Sequence, residues 1–404
     1  MSIKHHPIDR LLQEAVADAK VAGVVATACT REEILYEGAF GERVLGGGVP
    51  MTADTVCWIA SMTKAITSIA AVQCVERNLI DLDAPASRVL PELGQVQVLT
   101  GFDDQGQPLF RAPKRAVSLR HLLSHSAGFS YEIWNHEVAK VQAALEIPSI
   151  TSCARKALSL PLLFDPGERW EYGINIDWAG LMVEAVSGQS LGAFLQANLF
   201  DPLGMQSTAF KITPEMRQRL AGTHLRGEDG KLSPFPFELT QEPEFEMGGG
   251  GLYSTAQDYL RFVRMILNGG QLAGERVLRP ETVALLGLNH MGDCRVSPLR
   301  TAHPLSNDAE FFPGVKKTWS LAFQLNLEPA PTGRPAGALM WAGLANSFYW
   351  IDPVTGVGGV YLTQMFPFAD HESVPLYYAF ESEVYKGLQE RQRPEATRTP
   401  GLTA

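Results

Sequence analysis

The chain has 404 residues, of which 45% are hydrophobic and 19% charged, and a formal net charge of −10. That length supports a large core in two lobes, and the acidic balance argues against nucleic acid or an anionic membrane as the main partner. No apolar run reaches membrane-span length, Met1 to Asp18 holds no apolar leader segment, and Cys29, Cys57, Cys74, Cys153 and Cys294 are scattered without a Cys-x-x-Cys pair, so the expectation is a cytoplasmic protein with neither a disulfide framework nor a zinc site.

Pro7 opens an amphipathic helix with Ile8, Leu11, Leu12, Ala15, Val16 and Ala19 on one face. Val24 to Cys29 reads as a buried strand, and Glu33 to Gly38 as its hairpin partner. A loop to Thr55 then delivers the chain to Ser61. Ile66, Ile69 and Ala70 recur at helical spacing after it, and Lys64 lies three residues on, so both side chains share one face of a helix. A hydroxyl beside an amine at a helix N-terminus is a candidate nucleophile: the amine takes the proton and the first-turn amides favour negative charge. Taken alone, the same residues also read as an N-cap followed by a solvated lysine.

From about Leu82 to Phe245 the pattern is mostly helical, interrupted by loops at Gly101 to Pro113 and Pro161 to Gly167. Ser118 caps a short helix that carries His121 and, four residues on, His125. No third ligand is spaced to complete a metal site, so no metal is expected. Asp165 to Asp177 forms a turn, an aromatic stretch and a helix start, with Tyr172 in the bend before the helix. Gly188-Gln189-Ser190-Leu191-Gly192 matches the nucleophile-elbow pattern, which requires a strand before the serine. The preceding residues have helical period, so Gly188 reads instead as a helix terminator and Ser190 as the N-cap of a helix from Leu191 to Leu199.

Gly248 to Gly251 lacks the Gly-Lys-Ser/Thr of a phosphate loop and reads as close backbone packing under a cleft. Ser254 and Gln257 read as a capping box for a helix from Thr255 to Asn268. Thr318 to Leu327, Ala338 to Gly343, Ser347 to Ile351 and Gly356 to Gln364 read as strands. Pro375 to Leu388 reads as a closing helix, and Arg391 to Ala404 as a frayed tail. The fold class is therefore α/β in the α+β sense. An antiparallel sheet built from residues 1–82 and 246–404 is flanked by the terminal helices, and residues 83–245 form a mostly helical second lobe, with the site between them.

Five segments together carry a family resemblance. They are Ser61-Met62-Thr63-Lys64, Leu122 to Gly128, Pro166-Gly167-Glu168 leading to Tyr172, Leu199 to Met205, and Gly250 to Thr255. In this order the chain resembles the serine β-lactamase and penicillin-binding-protein superfamily, in its class C-like branch, and in particular the family VIII carboxylesterases. Trp170 to Gly173 and Ile176 to Trp178 also look like the fungal statin acyltransferase group. The resemblance implies that Ser61 is acylated and that Lys64 and Tyr172 share the proton traffic. It implies a third motif at Trp341-Ala342-Gly343, with the amides of Ser61 and Leu344 as the oxyanion hole. The class C asparagine position holds Ile174 here, Asn175 follows, and Asp177 is a support or substrate-binding candidate.

The implied activity is a serine carboxylesterase acting through an acyl-enzyme on short- to medium-chain esters, with no cofactor. An acyltransferase running through the same intermediate is the alternative. A weak β-lactamase, a D-amino-acid peptidase and a non-catalytic binding protein on the same fold stand further off. Trp341 and Gly343 are substrate-binding candidates. Phe129, Tyr131, Trp134, Trp319 and Phe348 are candidates both for pocket lining and for core packing. Arg155 and Arg295 are the cations that a folded chain can bring to the cleft.

Overall fold

The computed structural model describes residues 5–392; Arg391 and Gln392, expected in the frayed tail, still belong to the closing helix, and the rest of that expected tail lies outside the described residues. The leading helix α1 is His5–Ala17. Its buried face is Ile8, Leu12 and Ala15, as the spacing predicts, whereas Ala19 lies past the helix end at φ 55° and is exposed. Strands β1 (Gly23–Thr30) and β2 (Ile34–Gly41) form the first hairpin.

The remaining strands of the main sheet come from the far end of the chain. They are β3 (Lys317–Trp319), β4 (Gln324–Asn326), β5 (Leu339–Gly343), β6 (Ser347–Asp352) and β7 (Val357–Leu362). The sheet order is β3-β4-β5-β6-β7-β1-β2, antiparallel throughout. Residues 83–245 contribute no strand to it. The stretch Thr318 to Leu327 is two strands rather than one. Ser320 Oγ accepts from the amides of Ala322 and Phe323 and closes a turn between them, a local bond that competes with an extended backbone.

Strand β6 shows how the sheet is covered on both faces. Phe348 and Trp350 meet Tyr377 and Phe380 of the closing helix α5 (Ser373–Gln392), ring centroids 4.6 and 5.7 Å apart. Tyr349, between them, points the other way and meets Tyr259 at 5.0 Å, as alternation along a strand requires. Tyr259 belongs to α4 (Ala256–Leu267). A strand buried on both sides reads as a continuous apolar run, which is why this segment shows no polar alternation.

Two helices position the site: α2 (Thr63–Glu76), buried from Thr63 to Cys74, and α3 (Asn175–Ser187), which packs against it. Three expectations change here. Gly101 to Pro113 is largely a β-hairpin, Val98–Phe102 with Pro108–Arg111, because Asp103 accepts from the amides of Gln105 and Gln107 and tightens its turn. The α-helix after Ser190 ends at Leu195 and continues as a π-turn over Gln196–Phe200. The cap of α4 is Thr255, which accepts from Asp258 N, and not the pair Ser254 and Gln257. Ser254 sits in a short strand pair with Cys57 and bonds Thr208 Oγ1, and Gln257 reaches out to Glu37. Among the described residues no helix is long and apolar enough to cross a membrane.

Candidate active site

The nucleophile turn is set by the backbone before α2. Ala60 has φ 44°, and the turn Ala60–Met62 leads directly into the helix. A positive φ at alanine costs energy, and three long-range bonds hold it. Ile59 N donates to Leu252 O at 3.0 Å, Leu252 N to Thr63 Oγ1 at 3.1 Å, and the Tyr259 hydroxyl to Met62 O at 2.9 Å. Ser61 stands partly exposed at the helix mouth, where first-turn amides have no intrahelical partner.

Lys64 is only 1% exposed. Its Nζ lies 3.0 Å from Ser61 Oγ and 3.0 Å from the Tyr131 hydroxyl, and it donates to Gly249 O at 2.6 Å. Burial pulls its pKa down from the ordinary lysine value of 10.5, and the charge of Asp177 partly opposes that. Asp177, on the first turn of α3, is itself held up by burial, against the pull of Lys64 and of the Gly249 amide. Its Oδ1 accepts from Gly249 N at 2.8 Å, and its Oδ2 has no hydrogen-bond partner. Gly249 is thus pinned between the Lys64 and Asp177 side chains. A Cβ at Gly249 would stand 2.5 Å from Asp177 Oδ2, so this close approach demands glycine.

Tyr172 reaches the same point from the bend before α3. Its ring lies 4.7 Å from Lys64 Nζ, and its hydroxyl accepts from Trp341 Nε1 at 2.8 Å. Burial pushes its pKa up, while hydrogen bonds with Ser61 and Trp341 pull it back. His125, Trp341, Tyr131, Trp134, Trp170 and Trp319 surround the ring, with centroid distances from 4.9 to 6.4 Å. A desolvated cage of this kind keeps a phenol protonated at neutral pH.

Strand β5 closes the site from the sheet side. At Gly343 an added Cβ would stand 2.4 Å from Ile59 O, so glycine lets the strand end press against the nucleophile turn. Leu344 follows and lines a cavity of about 290 Å³ together with Ser61. Trp58, Ile133, Trp134, Ile150, Phe237, Met247, Leu305 and Phe366 give that cavity mostly apolar walls.

The sequence-derived candidates fall into three groups. Ser61, Lys64, Tyr172, Tyr131, Trp341 and Asp177 come together around one point. Gly343 and Leu344 flank it. Phe129 does not line the cavity: it is fully buried and stacked on Trp178 at 6.2 Å, because its position faces α3 rather than the cleft. Trp341 points at the Tyr172 hydroxyl and is absent from the cavity lining, and Asp177 lies behind Lys64, so both support the site rather than contact the cavity. Of the remaining aromatics, Trp134 lines the cavity while Trp319 and Phe348 are core residues.

Sequence reasoning missed the bond that Lys64 Nζ donates to the Tyr131 hydroxyl. Its one local signal is the position of Tyr131, three residues after Gly128 in the Ser-His-Ser-Ala-Gly run. Asn175 does not reach Lys64; its Nδ2 meets His125 Nδ1 at 3.0 Å. His121 completes the capping box of its own short helix, and among the described residues no group of three or more potential ligands is placed to hold a metal. Ser190 is an exposed N-cap accepting from Ala193 N at 3.2 Å. Arg295 is exposed, and Arg155 lines a separate cavity of about 720 Å³ beside Trp178. Neither supplies a cation to the cleft.

A Beta-lactamase family model matches residues 8–382. A lovastatin esterase from Penicillium rubens is 33% identical, over 94% of this chain and 98% of that protein. A monacolin J acid methylbutanoyltransferase from Aspergillus terreus is 32% identical, over 95% of this chain and 96% of that protein. Among solved structures, a mutant of the simvastatin synthase from Aspergillus terreus superposes with a TM-score of 0.83 at 30% identity, covering 95% of each chain. The chain belongs to the Beta-lactamase family and is an enzyme of its serine-acylating type.

Proposed function

We propose that this enzyme is a carboxylesterase for short- to medium-chain esters, with Ser61 as nucleophile. The observation that carries the reading is the buried Lys64 amine 3.0 Å from Ser61 Oγ, at the edge of a cavity with mostly apolar walls. An amine that burial holds below its ordinary pKa is a usable base near neutral pH. It takes the Ser61 proton as Oγ attacks the ester carbonyl. The amides of Ser61 and Leu344 face the oxyanion, each such donor being worth about 3 kcal/mol. Tyr172, kept as a phenol by its cage, hands a proton to the departing alkoxide and is reprotonated from Lys64. Water then attacks the acyl-enzyme through the same relay run in reverse.

Relatives named for an esterase and for an acyltransferase at similar identity support a second use of the same intermediate. An alcohol seated in the apolar cavity competes with water, and the acyl group is transferred instead. Product partition between acid and new ester, measured with increasing alcohol, reports that share.

Labelling with a fluorophosphonate tests the nucleophile. The adduct is expected on Ser61 by intact mass and peptide mapping, lost in Ser61→Ala and kept in Ser190→Ala. An adduct that persists in Ser61→Ala and disappears in Ser190→Ala overturns the assignment. Ser190→Ala should cost only the cap, about 1 kcal/mol of stability.

A further inference from the structure

One carboxylate stands in the wall of the site cavity. Glu132 lines it directly after Tyr131, and Glu132 Oε2 is buried with no hydrogen-bond partner. The other polar side chains of the lining each have at least one hydrogen-bond partner within the protein. Ser149 Oγ and Thr151 Oγ1 are 3.1 Å apart, His303 Nδ1 accepts from Leu305 N at 3.2 Å, Trp134 Nε1 donates to Ser306 Oγ at 2.9 Å, and the Tyr131 hydroxyl meets Lys64. Trp58 Nε1 donates to Gly250 O at 2.7 Å. No arginine or lysine is among the lining residues.

A desolvated carboxylate oxygen without a donor is costly to keep. Its negative charge reaches the reaction centre: at Tyr131 it acts after burial, Asp177 and Tyr172 to hold the phenolic proton. We propose that Glu132 is a substrate-recognition residue that takes a hydrogen bond from an ammonium group, so that the preferred esters carry a basic amine away from the scissile bond. The inference rests on the esterase reading of this cavity and deepens it. A cationic donor here replaces water with a charge-assisted bond. An anionic substituent at the same place meets like charge.

Two isosteric pairs test this: dimethylaminoethyl butyrate against isopentyl butyrate on the alcohol side, and nitrophenyl aminohexanoate against nitrophenyl heptanoate on the acyl side. In the wild type, kcat/KM for the ammonium ester should exceed that of its isostere by about tenfold or more in at least one pair, equivalent to ~1.4 kcal/mol. Within Glu132→Gln, that ratio should fall to within about twofold. A ratio below tenfold in both pairs, or one that survives in Glu132→Gln, overturns the proposal. Should Glu132→Gln fail to fold, Glu132→Ala provides the check. The ratio should again fall to within about twofold, and a ratio that survives the loss of the carboxylate overturns the proposal. Turnover of nitrophenyl heptanoate by the wild type tests the esterase reading separately.

Discussion

Lys64 is the group whose charge decides whether Ser61 can be deprotonated. Burial lowers its pKa and the Asp177 charge raises it. Only the neutral amine accepts a proton, so kcat/KM should rise with pH along a limb that lies well below 10.5. Asp177→Asn removes the opposing negative charge, and the limb should move to lower pH, while an asparagine oxygen can still accept from Gly249 N. A pH profile of kcat/KM for a neutral ester checks the direction; a shift to higher pH would contradict the charge argument. Lys64 and Tyr172 should also fail as a unit. Lys64→Ala and Tyr172→Phe should each slow acylation by about 100-fold or more, and the double variant far less than the product of the two. Stopped-flow acylation rates that multiply strictly would count against a shared relay.

Strand β5 and the turn before α2 form a single device, because the strand end touches the turn through Gly343. An added Cβ would meet Ile59 O at 2.4 Å, a backbone atom that cannot swing aside. Gly343→Ala should therefore separate Leu344 from Ser61 and lower kcat by roughly 100-fold. The measurement is kcat and KM for nitrophenyl butyrate beside a thermal melt. An unchanged kcat in a folded protein would remove Leu344 from the oxyanion hole. The short strand pair Cys57–Trp58 with Tyr253–Ser254 works at the same level. It fixes the start of α2 against the start of α4, and it uses Ser254 for that purpose, which leaves Thr255 to cap α4.

For the whole molecule the decisive feature is where positive charge is missing. The cavity draws its walls from residues between Trp58 and Phe366, and no arginine or lysine is among them. Trp341, at the third-motif position, is spent on the Tyr172 hydroxyl. A substrate carboxylate entering such a site loses its water without gaining a cation, which is costly. Neutral esters escape that penalty. The expected kcat/KM for nitrophenyl butyrate is at least about 100-fold above that for nitrocefin, equivalent to ~2.7 kcal/mol of transition-state binding. Comparable efficiencies in a parallel assay would favour a β-lactamase over an esterase.

What the chain determines by itself is local and periodic. The spacing of Ser61 and Lys64 places them on one helical face. The helical period before Gly188 excludes a strand, and with it the elbow reading of Ser190. Apolar runs between breakers mark the strands of the sheet, with Ser320 the one break that composition hid. Short-range backbone geometry suffices for each of these. Tertiary structure alone decides which distant atoms meet. Asp177 finds the Gly249 amide across 72 residues, and Trp341 finds the Tyr172 hydroxyl across 169. Phe129 and Tyr131, two residues apart and equal as aromatics in sequence, part company: one is buried against α3 and the other bonds the lysine. The capping role expected of Ser254 passes to Thr255, and what Ser254 meets across the fold is likewise a tertiary contact. Contacts of this kind depend on packing at long sequence separation, which no local pattern encodes.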